Sequence, residues 1–396
     1  MIPVTEARAR VLDLCRPMGS EVVALREAGG RVLAVDAVAG LSQPPWPSSA
    51  MDGYACRSDD CRPGAVLRLV GQAAAGKGYA GTVGPGEAVR IFTGAPVPEG
   101  ADIVVMQEQA SPGDGTVTLI DPDSARDNIR PAGGDFRQGF RLTAPRRLRA
   151  RDLALLAAMN LAQVTVARRP VVALIPTGNE LVEPGTPPGP DQIIASNSHA
   201  LAALVQAEGA EARLLPIARD DADSLRDAFE QAARADVVVT TGGASVGDMD
   251  LVGPVAEEMG MQRAFWRIAM QPGKPLMAGR MRGALMLGLP GNPVASYVGA
   301  LLFLLPALRA MQGLPGTEPG LRPARLGVEI GPTGPREHYM RARLEGVTED
   351  GLPVIHPFSS QDSARLTVLA EADALLVRRP GAPAATIGTV VDYLPI

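Results

Sequence analysis

Between residues 169 and 311, unbroken apolar runs alternate with stretches whose apolar positions recur at helical spacing. Residues 171–175 are apolar without interruption, as a strand covered on both faces requires. In 196–208, Leu201, Leu204 and Val205 share one helical face, and 212–217 reads as a strand. Leu225, Ala228, Phe229 and Ala232 form the stripe of an amphipathic helix. Residues 236–241 and 284–289 read as strands, 251–259 as a short helix and 294–311 as a long apolar one. That alternation predicts a doubly wound, mostly parallel α/β domain over 169–316.

On either side the pattern differs. After Gly313, β-prone runs return at 323–330, 339–347, 352–357, 373–378 and 389–394, which predicts a C-terminal β-barrel over 317–396. Ahead of the α/β unit, 5–16 and 152–159 carry helical patterns, with Thr5 as the expected N-cap of the first. Between them lie short β-prone runs at 65–72, 87–93, 102–108 and 116–121, separated by Gly and Pro. The expectation is a multidomain α/β chain in which an elongated helical N-terminal domain (1–41 and 136–168) carries a β-rich inserted module (42–135).

Composition then narrows the function. Hydrophobic residues make up 46% of the 396 and charged residues 20%, the balance of a folded chain. A net charge of -5 and only 4% aromatics argue against nucleic acid as a partner, which demands a basic face and stacking platforms. Cys15, Cys56 and Cys61 are odd in number and form no CxxC pair, so a reducing compartment is expected, with neither a disulfide framework nor a zinc site. The stretch MIPVTEARARVLDLC carries charges early and has no signal-peptide core. The longest apolar run, 298–308, is shorter than the roughly 20 residues a bilayer span needs. A cytoplasmic protein with no membrane contact is expected.

In an open α/β sheet, ligands bind beyond the carboxyl ends of the strands. Here those ends carry Pro176-Thr177-Gly178-Asn179-Glu180, Arg219-Asp220-Asp221, Thr241-Gly242-Gly243-Ala244-Ser245-Val246-Gly247-Asp248-Met249-Asp250 and Leu289-Pro290-Gly291-Asn292-Pro293. Free backbone N–H groups over 241–247 suit a phosphate or another oxyanion. Glu180, Asp220, Asp248 and Asp250 would repel that anion unless a hard cation lay between, and magnesium takes one or two carboxylates plus phosphate oxygens. The rim reads as a site for a magnesium-bound phosphate ester; the plainer alternative is tight turns with solvated acids. Lys274, in Gln271-Pro272-Gly273-Lys274-Pro275, offers an ammonium for a second anion. In the inserted module, prolines and small residues from Pro44 to Ala55 fix a loop that presents Asp52, with Thr93 and Asp135 on two further rigid turns. Two apparent motifs are set aside. Gly71-Gln72-Ala73-Ala74-Ala75-Gly76-Lys77 matches most of a P-loop, but Gly78 replaces the Mg²⁺-binding Ser/Thr and more glycines follow in place of a helix. His199, His338 and His356 have no metal-ligand spacing.

At these residues the chain resembles the molybdopterin molybdenumtransferase family and is similar to the gephyrin C-terminal domain. The resemblance is carried by Ser49-Ala50-Met51-Asp52-Gly53-Tyr54-Ala55, Phe92-Thr93-Gly94-Ala95, Val105-Met106-Gln107-Glu108 and Arg130-Pro131-Ala132-Gly133-Gly134-Asp135, then by the loops at 176–181, 241–250, 272–275 and 289–293. These occur in family order over nearly the whole chain. The resemblance implies a homodimer of four-domain subunits, with the α/β domain of one facing the β-rich insert of the other. Glu180, Asp220, Asp250, Ser245 and Lys274 would meet Asp52, Thr93 and Asp135 across that dimer, and Thr177, Gly242, Gly243, Gly247, Pro290 and Pro293 would bind substrate. The implied reaction inserts molybdate into adenylylated molybdopterin with loss of AMP and needs Mg²⁺, held by Glu180 and Asp250. Molybdopterin adenylyltransferase and acceptor molybdoenzymes are the implied protein partners. Three departures stand out: Gln271 where the family often has lysine, Asn179 where many members have Asp, and Gln361-Asp362-Ser363-Ala364 in place of a Gly-Ser-His run. Two other readings compete. An adenylyltransferase on a similar α/β domain leaves the Asp52 module without a purpose. A non-catalytic scaffold leaves the carboxylates and Lys274 without one.

Overall fold

The apolar run at 171–175 forms the strand Val171–Pro176, in which every residue is buried. The strand lies between Glu211–Leu214 and Val237–Thr241 and is parallel to both; Val237–Thr241 pairs in parallel with Ala284–Leu289. The register sets Val172 opposite Val237 and Val237 opposite Leu285, so β-branched and aliphatic side chains stack across the sheet. Its two faces are covered separately. Val172 and Leu174 pack with Leu201, Val205 and Phe303, whereas Ala173 and Ile175 pack with Leu225, Phe229 and Val252. That division is what a doubly wound sheet requires: helices Asn197–Ala207 and Pro293–Gly299 on one side, Ala222–Gln231 and Val252–Glu258 on the other. Two strands that periodicity did not predict, Met277–Met281 and Gln262–Trp266, extend the sheet antiparallel to six. Gly279 and Arg280 interrupt the apolar pattern of the first. This computed structural model describes residues 1–396 apart from 124, 244–250, 316, 317 and 319.

The helix expected at 294–311 runs through Pro293–Gly299, a π-helical turn Ala300–Leu304, and Leu305–Met311. Pro306 explains the wider turn, because proline lacks an N–H and its ring crowds the carbonyl four residues back. By length and composition this helix could cross a membrane, yet 78% of its most apolar window is buried inside the fold. It serves as the core helix of the α/β unit.

The helical N-terminal domain is not what its residues form. Ser20–Ala24, Gln163–Ala167, Val32–Leu33 and Arg146–Arg147 make a four-stranded antiparallel sheet, with the single α-helix Ala150–Ala158 packed against it through Leu156. Val22, Val23, Val164 and Val166 favour the extended backbone there. The first helix, Val4–Leu14, leaves this unit and buries Val4, Ala7 and Val11 in the α/β core. It starts at Val4 with Pro3 as N-cap rather than Thr5.

The inserted module is a six-stranded sheet in which Gly53–Cys56 runs antiparallel between Ile103–Met106 and Glu87–Ile91. At the C-terminus, Arg322–Leu326, Glu337–Val347, Pro353–Pro357, Ala374–Arg378 and Val390–Pro395 form a sheet closed by pairing of Glu337–Val347 with Ala374–Arg378. Closure leaves this five-stranded barrel without free edges. One strand of the barrel also pairs outward: Met270 and Gln271 run parallel to Glu337 and His338.

Candidate functional site

A cleft of about 630 Å³ opens at the carboxyl ends of the parallel strands. Thr177, Glu180, Asp220, Gly242, Gly243, Pro290 and Pro293 all line it, so four separate loops converge there. Thr177 is buried, and its N–H and Oγ1 both donate to the Thr241 carbonyl, at 3.1 and 3.4 Å. Asp220 is latched to Asn179 reciprocally: the Asn179 N–H donates to Asp220 Oδ2 at 3.1 Å, and the Asp220 N–H donates to Asn179 Oδ1 at 3.2 Å. The neighbouring cation turns to the backbone. Arg219 Nη1 is spent on the carbonyls of Asn179 and Leu181. The Glu180 carboxylate folds back over Gly178, whose φ is +147° and where a Cβ would meet Glu180 Oε2 at 2.4 Å. Only glycine tolerates that arrangement.

The glycine turn after Val237–Thr241 works differently from the expectation. Gly242 does not offer a free amide, because its N–H donates to the Leu289 carbonyl at 3.1 Å. Its smallness is needed instead: φ is +102°, and a Cβ would lie 2.5 Å from the Thr177 carbonyl oxygen. Ser245, Gly247, Asp248 and Asp250 lie outside the described residues.

The donors that sequence reasoning missed come from the helix Asn197–Ala207. Ser196, Asn197 and Ser198 line the cleft at its N-terminus, and that terminus has no side-chain cap. First-turn N–H groups lack intrahelical acceptors and carry the positive end of the helix dipole, so this turn is suited to an anion. Asn197 Nδ2 donates to the Gly291 carbonyl at 2.7 Å and ties the turn to the Pro290–Pro293 loop. In the sequence, Ser-Asn-Ser at a helix start signals only capping, which is why the turn went unnoticed as a site.

Asp52, Thr93 and Asp135 do not line this cleft; all three sit in or beside the inserted module. Lys274 is exposed, and its neighbour Pro275 is the cleft-lining residue of that loop. Asp52 is nevertheless organised. The Thr93 N–H and Oγ1 both donate to Asp52 Oδ1 at 2.7 Å, and the Gln107 N–H donates to the Asp52 carbonyl. Arg90 packs over the Tyr54 and Phe92 rings and donates to Gly53 and Gln107, which stiffens the same loop. The two Thr93 hydrogen bonds, backbone first, hold the Asp52 carboxyl below its ordinary range. A depressed carboxylate contributes above its unfolded pKa and loses that contribution as pH falls through the folded one. Thr93→Val is therefore expected to return Asp52 toward the ordinary carboxylate range, read by NMR titration of its side-chain carbon; an unchanged midpoint would refute the assignment.

Burial pushes the Cys15 and Cys56 thiols up to about 12, so neither is a thiolate at neutral pH. Among the described residues no group of three or more His, Cys, Asp or Glu side chains could hold a metal ion. Glu180 and Asp220 in one cleft do match the smaller protein share that magnesium takes when waters and phosphate oxygens complete its shell.

Three family models match in order: the MoeA N-terminal region (domain I and II) over residues 2–160, a probable molybdopterin binding domain over 173–310, and the MoeA C-terminal region (domain IV) over 323–396. The chain is 38% identical to a molybdopterin molybdenumtransferase of Nostoc sp. over 370 residues, covering 90% of this chain and 84% of that protein. It is 32% identical to a Staphylococcus aureus protein of the same name over 400 residues, covering 99% and 95%. The crystal structure of a molybdopterin biosynthesis MoeA protein from Pyrococcus horikoshii superposes with a TM-score of 0.82 at 31% identity, over 100% of this chain and 99% of that one. Fold, cleft and relatives together define a multidomain α/β transferase of molybdenum-cofactor biosynthesis. The chain belongs to the molybdopterin molybdenumtransferase family.

Proposed function

We propose that this chain inserts molybdate into adenylylated molybdopterin and releases AMP in a Mg²⁺-dependent step. The observation that carries this reading is the meeting of an uncapped helix N-terminus with two carboxylates, Glu180 and Asp220, in one cleft at the strand ends. The Ser196–Ser198 turn is suited to the adenylyl phosphate, and the backbone latch on Asn179 holds Asp220 in the same cleft. Glu180 and Asp220, with Asp250 from outside the described residues, would hold Mg²⁺. Bound there, the cation would offset charge on the phosphate as AMP leaves. Lys274 would hold the molybdate anion, and Thr177 and Pro290 would shape the floor. Asp52, Thr93 and Asp135 line no part of the cleft in one subunit. A second copy is therefore proposed to supply them, in a homodimer. The sulfur ligands of the metal come from the pterin, so no cysteine cluster is required. We place the protein in the cytoplasm, fed by an adenylyltransferase and emptied by acceptor molybdoenzymes.

The test incubates the purified chain with adenylylated molybdopterin, molybdate and MgCl₂. AMP is followed by chromatography and product by reconstitution of an apo-molybdoenzyme. AMP and reconstitution that both require Mg²⁺ are expected. ATP consumption with pyrophosphate release would instead identify an adenylyltransferase, and no turnover at all would leave a scaffold.

A further inference from the structure

The loop that carries Asp52 is braced by one arginine of the inserted module. Arg90 stands directly opposite Tyr54 where Gly53–Cys56 pairs antiparallel with Glu87–Ile91, and Gly53 has Met106 as its partner on the other side. The guanidinium lies over two rings, 5.0 Å from the centre of Tyr54 and 4.8 Å from that of Phe92, a seat that favours a cation. From there Nη1 donates to the Gly53 carbonyl at 2.9 Å and Nη2 donates to Gln107 Oε1 at 2.7 Å. The planar fork thus spans two partners on different strands, which a single ammonium cannot do.

Every partner of Arg90 adjoins a group that holds Asp52. Gly53 and Tyr54 follow Asp52 in the chain. Phe92 precedes Thr93, whose N–H and Oγ1 both donate to Asp52 Oδ1. Gln107 donates its own N–H to the Asp52 carbonyl at 3.0 Å. Three chain segments therefore meet at one guanidinium, and Asp52 sits at their junction. The Thr93 hydrogen bonds, and after them the Arg90 charge, hold the Asp52 carboxyl low. Asp52 lines no part of the cleft of its own subunit, so its placement is set within the inserted module. A reactive group mounted on sheet strands is held more precisely than one on a free loop.

We propose that Arg90 is a positioning residue for Asp52: its forked hydrogen bonds to Gly53 and Gln107, made from a seat over two rings, fix the direction in which the inserted module presents the Asp52 carboxylate to the cleft of a second copy. The reaction and the second copy rest on the proposed function; the bracing of Asp52 does not.

The test uses the full chain labelled with ¹³C-aspartate and measures kcat and KM for AMP release, the titration of the Asp52 side-chain carbon, and Tm. Arg90→Met keeps an unbranched chain over the rings and loses the fork, whereas Arg90→Lys keeps the charge alone. Both are expected to lower kcat about tenfold or more with KM within about twofold, because Asp52 is away from the substrate cleft of its own subunit. Gln107 is exposed, so Gln107→Ala keeps the fold, and loss of the Nη2 acceptor is expected to lower kcat several-fold. In an Asp52→Asn background, itself slowed, the same substitutions are expected to cost less than about twofold more, since no carboxylate is left to place. A side chain serving stability alone would cost the same in both backgrounds. The Asp52 midpoint is expected to rise in Arg90→Met. Arg68→Ala breaks a surface pair with Glu87 on the same sheet and is expected to leave kcat and the midpoint unchanged. Equal losses in both backgrounds, wild-type kcat in Arg90→Lys, or an unmoved Asp52 midpoint in Arg90→Met would overturn the proposal. A wild-type chain that releases no AMP would reject the proposed function, and the Asp52 midpoint would then decide the bracing by itself.

Discussion

Changing Glu180 and Asp220 together to Gln and Asn is expected to lower Mg²⁺-dependent AMP release by about a thousandfold, roughly 4 kcal/mol of barrier. The two carboxylates line the cleft from different loops. Arg219, next to Asp220 in sequence, donates through Nη1 to the backbone carbonyls of Asn179 and Leu181. The amide pair keeps the shape of the site. Asn at 220 can still accept from the Asn179 N–H, and Gln at 180 can still fold over Gly178. What disappears is charge, so loss of rate should come with loss of Mg²⁺-induced thermal stabilisation. A double variant that keeps its rate and its Mg²⁺ response would remove both residues from the proposed metal site.

The second large effect is on stability. Glu208 is 9% exposed and closes the helix Asn197–Ala207. It accepts Arg147 at 2.6 Å from the N-terminal sheet and both arms of Arg309 at 2.9 Å from the core helix, while its carbonyl accepts from Gln312. Glu208→Ala leaves two guanidiniums facing each other across the junction. Removing one partner of a buried pair costs about 3–5 kcal/mol. Arg147 and Arg309 retain 24% and 34% side-chain exposure, so solvent should hold the loss to about 2–3 kcal/mol. Urea denaturation measures it, and a change below about 0.5 kcal/mol would show the junction is held by its apolar contacts alone.

The α/β unit was legible because its strands are buried on both faces and its helices on one, so residues such as Val172, Ile175, Leu225 and Phe229 announce their element by periodicity. Gly53–Cys56 was not legible as a strand. Gly, Tyr, Ala and Cys carry little strand signal, and pairing with neighbours on both sides supplies what propensity lacks. The rim loops were legible as a group, since topology alone brings Pro176, Thr241 and Leu289 to one end of the sheet. The role of Gly242 was misread because backbone accounting is non-local: its amide faces Leu289, nearly fifty residues away in sequence. The Ser196–Ser198 turn stayed hidden because capping residues look the same whether a helix start meets solvent or a cleft.

The order of strands and helices from 171 to 311, the loops that punctuate them and the family motifs belong to the sequence, because each is set by neighbours a few residues apart. Tertiary structure alone decided that the first helix joins the α/β core, that the N-terminal unit is a sheet, and that a barrel loop reaches the cleft through Ala364. Periodicity states that a face will be buried but not against what, and the partner is chosen by packing and hydrogen bonding between segments hundreds of residues apart.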